Sequence, residues 1–263
     1  MSGTGEAEAL GARVIDGKAV AARVRAQVRE EVAALAAETG GRVPGLATVI
    51  VGDDPASEIY VRNKHKACAE VGMRSLHHAL PAETEEAELI ELIERLNAED
   101  DVDGILLQLP VPEQIDPDRA LLALDPGKDV DGLTPTNAGL LANGRPGLVP
   151  CTPAGVMELL RSESVELEGA EAVVVGRSKL VGRPLAGLLL AANATVTSCH
   201  SRTRDLDSVC ARADVLVAAV GSPRLIGAEA VKPGAVVIDV GMNRLDQGLV
   251  GDVDFEAARR VAA

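Results

Sequence analysis

Residues 173–190 read VVVGRSKLVGRPLAGLLL. Three valines run into Gly176, and an apolar stretch of helical length follows Gly182. The order is that of a buried strand, a glycine turn and a helix. Glycine there lets backbone approach a pyrophosphate, whose charge the helix N-terminus favours. The two glycines stand six apart, which is not the G-x-G-x-x-G spacing. Alone, the segment fits a plain strand-to-helix turn equally well.

The flanking sequence extends the pattern. EAVVVG (171–176), ATVTSCH (194–200), DVLVAAVG (214–221) and AVVIDVG (235–241) are apolar runs of strand length with short crossovers. Such a series predicts a doubly wound, dinucleotide-binding sheet. Upstream, LATVIVG (46–52), RSLHHAL (74–80) and VDGILLQLP (102–110) alternate with helical segments. Asp16 is placed to cap the first helix, Gly40 and Gly41 to end it. This alternation predicts a second parallel sheet with helices packed on it. Between the two series, 112–150 is rich in Pro, Gly and Asp. It holds one helical piece, IDPDRALLAL, and the loop DPGKDVDGLTPTNAG. PCTPAGVMELLRS then opens a helix, with Thr152 as cap and Pro153 in its first turn. The expected fold class is α/β in two domains, an N-terminal α/β domain and a C-terminal Rossmann-type doubly wound parallel sheet. The expected boundaries are a disordered extension at 1–12, the first domain at 13–149 and the second at 150–263.

Charge and composition exclude several roles. The formal net charge of −14 argues against nucleic acid or an anionic membrane as a bulk partner. No run approaches the ~20 apolar residues that span a bilayer. The start, MSGTGEAEALGA, lacks the basic and apolar regions of a signal peptide, so a soluble, cytoplasmic protein is expected. The four cysteines form no C-x-x-C pair and read as small buried hydrophobes, and no metal site is expected.

Two local features carry chemistry. From Ala172 to Arg204 there is no acidic residue, while Arg177, Lys179, Arg183, Arg202 and Arg204 are basic. An NAD site usually has a carboxylate after its second strand, for the ribose 2′-hydroxyl. Here that position reads His200-Ser201-Arg202, groups that would bind a 2′-phosphate. NADP is therefore expected over NAD. The second feature is SEIYVRNKHKACAEVG (57–72), with the only tyrosine of the chain. At helical spacing, Tyr60 and Lys64 share a face with Val61, Ala67, Cys68 and Val71, which sets a lysine in an apolar stripe. His65 falls on another face and shows no ligand spacing with His77 or His78.

Taken together, VGDDPASEIYVRNKHKACAEVG, DGILLQLPVP, KDVDGLTPTNAG, PCTPAGVMELL, VVVGRSKLVGRPLAGLLL, ATVTSCHSRT and VVIDVGMNR resemble one family. It is the bifunctional methylenetetrahydrofolate dehydrogenase/methenyltetrahydrofolate cyclohydrolase family, and the segments follow its order over roughly 14–255. The resemblance implies NADP-dependent oxidation of 5,10-methylenetetrahydrofolate, hydrolysis of the methenyl product to 10-formyltetrahydrofolate in the same cleft between the two domains, and a homodimer. It implies catalytic roles for Lys64, Gln108 and Asp131. Substrate contacts are implied at these residues and at Tyr60, Leu107 and Leu109. Cofactor contacts are implied at Gly176, Arg177 and Ser178, at Ser201 and Arg202, and at Gly221 and Met242.

These roles make chemical sense. A lysine in an apolar site beside a cationic intermediate can act as a base. Gln108, at the end of an apolar parallel strand, can orient it. Tyr60 offers a flat face to an aminobenzoyl ring. Asp131 can accept from pterin N–H groups. Two features depart from the family pattern. LTP follows DVDG where FHP is commoner, and the family's terminal strand, glycine–proline loop and helix are not in these 263 residues. Their lack would leave apolar surface uncovered. Two alternatives stand beside the leading reading: a shikimate-type dehydrogenase of similar layout, and an NADP-binding scaffold with impaired catalysis.

Overall fold

The computed structural model describes residues 11–246 and 248–263. The chain divides into two compact units, Asp16–Cys151 and Thr152–Ala263, the second joined by residues 11–15. Most of the extension expected at 1–12 lies outside the described residues. Ala12, however, donates its N–H to Arg259 O at 2.7 Å, so the segment is docked on the second unit from there on.

In the first unit, strands β1 (Gly45–Val51), β2 (Arg74–Leu80) and β3 (Gly104–Leu107) form a parallel sheet ordered β2-β1-β3. Helices α1 (Gly17–Glu38), α2 (Pro55–Val71) and α3 (Glu86–Ala98) alternate with them. Asp16 caps α1 as expected, accepting from Lys18 N and Ala19 N at 3.0 Å. Asp54 caps α2 by accepting from Ser57 N at 2.8 Å, and Gly72 ends it in the left-handed conformation at φ 83°. The acidic first turn of α3 complements the helix dipole. Its Leu89, Ile93 and Leu96 are fully buried on the sheet. Each such side chain contributes about 1.5–3 kcal/mol of apolar burial.

β3 stops at Leu107, sooner than the run VDGILLQLP suggests. Gln108 N makes the last sheet bond, to Val49 O at 2.8 Å, and the Leu109–Pro110 peptide is cis. After α4 (Pro117–Leu122), the segment read as a loop contains a helix, α5 (Pro135–Ala142). Pro135 occupies its first turn, and Thr134 Oγ1 accepts from Asn137 N at 3.3 Å. α6 spans Cys151–Ser162, so Thr152 lies inside the helix and does not cap it.

In the second unit, β4 (Glu171–Val175), β5 (Thr195–Cys199), β6 (Val215–Ala218) and β7 (Val236–Asp239) form a parallel sheet ordered β5-β4-β6-β7. α7 (Gly182–Ala191) and α8 (Leu206–Cys210) provide crossovers. The strand order reverses between β4 and β6, the point where doubly wound sheets take ligands. A hairpin absent from the sequence reading, β8 (Asn243–Leu245) and β9 (Gly248–Val250), follows β7, and α9 (Phe255–Ala258) comes last. An apolar groove of about 630 Å³ runs along β7 between Ile15, Leu159, Ile238 and Phe255. Among the described residues, no helix is long and apolar enough to cross a membrane.

Candidate active site

The apolar stripe expected on α2 packs on the sheet, but Tyr60 and Lys64 lie at its margin and not within it. Its buried positions are Ser57, Val61, Cys68 and Val71, and the residue centred among them is His65. Tyr60 is 46% exposed and Lys64 is half-buried, so this pair flanks the buried stripe. Spacing alone could not tell the two faces apart, because a histidine and a lysine compete for one position per turn. Both are half-buried, and the sheet offers the histidine partners. Its Nε2 lies 2.9 Å from Thr48 Oγ1, and its Nδ1 lies 2.8 Å from Ser75 Oγ. The His77 ring meets it edge-on at 5.0 Å. Desolvation, then His77, pulls the His65 pKa below its ordinary value, so the network favours the neutral ring.

Lys64 is thereby turned toward the end of β3. Its Nζ donates to Gln108 Oε1 at 3.3 Å. The Gln108 amide nitrogen donates to Leu109 O at 2.9 Å, which fixes the side-chain carbonyl toward the lysine. Leu107 is buried in the core, and Leu109 packs against the same cluster.

Asp131 joins this pair electrostatically. Burial pushes its carboxyl above the ordinary carboxylate value, while the Lys64 charge and a hydrogen bond from Cys151 oppose the rise. The loop that presents it is tied down from beneath. Asp129, fully buried, accepts from Thr134 N at 2.8 Å and from Asn137 Nδ2 at 3.0 Å. Ile105 N bonds to Lys128 O at 2.7 Å, which adds the loop to the edge of β3. Gly132 turns at φ 61°, where a Cβ would press on Leu148 and Val149 backbone at 2.7–2.8 Å. Cys151 departs from the expectation of a buried hydrophobe. Cys68, Cys199 and Cys210 are buried, but Cys151 is exposed beside Asp131. Its thiol is pushed up, first by desolvation and then by the Asp131 carboxylate.

Of the expected substrate and catalytic residues, the first unit brings Lys64, Gln108 and Asp131 together. Tyr60 stands one helical turn from Lys64. Sequence reasoning missed Cys151, whose only signal was its place in PCTP.

The expected cofactor residues lie at the carboxyl ends of the strands of the second unit. Gly176 ends β4 at φ 135°, and a Cβ there would collide with the Ala219 carbonyl. Ser178 Oγ accepts from Val181 N at 3.1 Å and Gly182 N at 3.4 Å, capping the start of α7. Arg177 and Ser178 are exposed. After β5, Thr203 Oγ1 accepts from His200 N at 2.9 Å, and this tight turn leaves Ser201 and Arg202 exposed. Gly221 follows β6, and Met242, 64% exposed, follows β7. A backbone approach at Gly176 that a Cβ would block, with exposed Arg177, Ser178, Ser201 and Arg202 in a stretch (172–204) without acidic residues, fits a dinucleotide carrying an extra phosphate.

Comparison with known proteins agrees with this arrangement. Residues 15–131 match the tetrahydrofolate dehydrogenase/cyclohydrolase catalytic domain, and residues 150–263 match the NAD(P)-binding domain of the same family. The bifunctional protein FolD 2 of Frankia alni is 61% identical over 253 residues, covering 96% of this chain and 88% of the relative. FolD of Acetivibrio thermocellus is 53% identical over the same shares. Among solved structures, the Campylobacter jejuni FolD dehydrogenase/cyclohydrolase superposes with a TM-score of 0.92 at 44% identity, over 95% of this chain and 89% of that one. The Trypanosoma brucei enzyme, solved with NADP and an inhibitor, superposes with a TM-score of 0.91 at 43% identity, over 96% and 89%. These likenesses do not favour the shikimate-type alternative. The chain belongs to the tetrahydrofolate dehydrogenase/cyclohydrolase family.

Proposed function

We propose that this protein oxidises 5,10-methylenetetrahydrofolate to 5,10-methenyltetrahydrofolate with NADP and hydrolyses that product to 10-formyltetrahydrofolate, as part of one-carbon metabolism. The observation that carries the reading is the contact of Lys64 with Gln108 beside Asp131. When bound, NADP supplies the hydride acceptor. Gly176, Arg177 and Ser178 would hold its pyrophosphate side, Ser201 and Arg202 its 2′-phosphate, and Gly221 and Met242 its remaining contacts.

The protein's own groups do the rest. Asp131 accepts hydrogen bonds from the pterin, Tyr60 stacks on the aminobenzoyl ring, and Leu107 and Leu109 shape the apolar wall. The first step needs the substrate held in register more than proton transfer. In the second, water adds to the cationic methenyl carbon as the Lys64 amine takes the proton that water gives up, and the bond from that carbon to N5 then breaks, with N5 taking up a proton, to leave the formyl group on N10. Gln108 keeps the amine aimed. A homodimer in the cytoplasm is the proposed state of the protein.

The test is an assay of both steps on the purified chain, with NADP and NAD compared. Methylenetetrahydrofolate-dependent reduction of NADP and hydrolysis of added methenyltetrahydrofolate are expected. NADP binding without either reaction would leave only the scaffold reading.

A further inference from the structure

Asp252 is fully buried, yet it belongs to none of the groups assigned to either reaction. Its carboxylate faces four N–H donors. Oδ2 accepts from Val220 N at 2.6 Å and Gly221 N at 3.0 Å. Oδ1 accepts from Ser222 N at 2.8 Å and Asn243 Nδ2 at 2.9 Å. Three consecutive backbone N–H groups converging on one anion form a nest, the geometry with which loops often hold phosphates. Here the nest is filled from within the chain. Its amides are committed to shaping the loop after β6, and Gly221 is left exposed above it.

The carboxylate is itself anchored. Asp239, at the end of β7, accepts from Gly241 N at 2.9 Å and from Asp252 N and Val253 N at 3.0 Å. Arg224 N and Ile226 N bond back to Gly251 O and Asp252 O at 3.0 Å. Two carboxylates thus tie together the loop after β6, the loop after β7 and the β8–β9 hairpin.

We propose that Asp252 is a positioning residue for the dinucleotide, which fixes the 220–222 loop and the Gly241–Asn243 segment in their binding-ready shape. The proposal rests on the reading that Gly221 and Met242 face the cofactor. Only a carboxylate serves this position. Asparagine would present an amide in place of one oxygen, and each oxygen receives two donors. Either rotamer of Asp252→Asn therefore leaves two N–H groups facing another donor.

The experiment compares Asp252→Asn with wild type in three readouts: hydrogen exchange at 220–222, the KM for NADP, and hydrolysis of added methenyltetrahydrofolate without NADP. In the variant, exchange at the three amides of the cofactor-free protein should quicken, and the KM for NADP should rise about tenfold or more. Hydrolysis should be unchanged, which a variant that merely unfolds could not achieve. If Asp252→Asn loses hydrolysis as well, Asn243→Ala decides. It removes one of the four donors and should raise the KM for NADP several-fold with hydrolysis intact, and an unchanged KM would overturn the proposal. Wild-type amides at 220–222 that gain no protection on adding NADP would remove Gly221 from the cofactor site, and the proposal with it. Protection in wild type with an unchanged KM in Asp252→Asn would overturn the role of Asp252 alone.

Discussion

Lys64 Nζ donates to the Gln108 side-chain carbonyl at 3.3 Å, and the Gln108 amide nitrogen in turn donates to the Leu109 carbonyl at 2.9 Å. The lysine is thus aimed by a group that cannot take its proton, which suits the base proposed for the hydrolysis. Lys64→Ala should reduce methenyltetrahydrofolate hydrolysis by about 10²–10⁴ while part of the dehydrogenase rate survives. Lys64→Arg should fare no better, since guanidinium does not deprotonate at accessible pH. Unimpaired hydrolysis in the alanine variant would remove Lys64 from the mechanism.

Gln108→Leu keeps the side-chain volume at the end of β3 and deletes both polar contacts. Lys64 would retain its helix but lose its orientation. Hydrolysis should fall about tenfold, the worth of one charge-assisted hydrogen bond at ~1.5 kcal/mol. Glutamate at 108 is the informative contrast. It would pair with the ammonium and hold its proton, so hydrolysis should drop further than with leucine.

Much of this arrangement was legible in the sequence, and the exceptions share a cause. Both sheets could be read because parallel strands covered on both faces are continuous apolar runs. Helix α5 could not, since Pro135 and Gly139 are poor helix formers and only the Thr134 cap with Pro135 after it marks the start. The apolar stripe of α2 and the Tyr60–Lys64 spacing were legible, but the place of His65 beside that stripe was set by Thr48 and Ser75, which come from other strands. Cys151 and Asp252 were illegible for the same reason. The hydrogen-bond partners of Asp252 lie 30–32 residues upstream, except Asn243, and no local pattern announces them.

The turn after β5 leaves Arg202 exposed in a stretch without carboxylates. Arg202→Glu places a like charge where the 2′-phosphate is proposed to sit. The KM for NADP should rise about 10- to 100-fold, on loss of a charged contact of ~1.5–3 kcal/mol. The KM for NAD should hardly move, because NAD lacks that phosphate. An equal rise for both dinucleotides would place Arg202 away from the 2′ position.

His65 ties stability to pH. Its folded-state pKa lies below the ordinary histidine value of 6.5, so on acidification the unfolded chain takes up the proton first. The network is fully stabilising above that value and weakens as pH falls from it toward the folded-state pKa. His77, facing it from β2, is the second cause of that lowering, after burial. Denaturant unfolding between pH 5 and 8 should show stability falling on the acid side, with a shallower fall in His65→Asn. An identical slope in the variant would clear His65 of the effect.

Asp131 should show the opposite sign. Burial raises its folded-state pKa above the ordinary 3.8, so the folded protein binds the proton more tightly than the unfolded chain. The stability it contributes is present below 3.8 and is lost as pH rises through the raised value, because burial disfavours the charge of the ionised carboxylate. Asp131→Asn removes that charge. The variant should therefore melt at higher temperature than wild type at pH 7, with the gap closing in acid. Its KM for the folate should rise about 10- to 100-fold, since a charged acceptor is lost to the substrate. A variant that binds folate normally, or melts lower at pH 7 than wild type, would contradict the assignment of Asp131 as a carboxylate held in place for the substrate at some cost in stability.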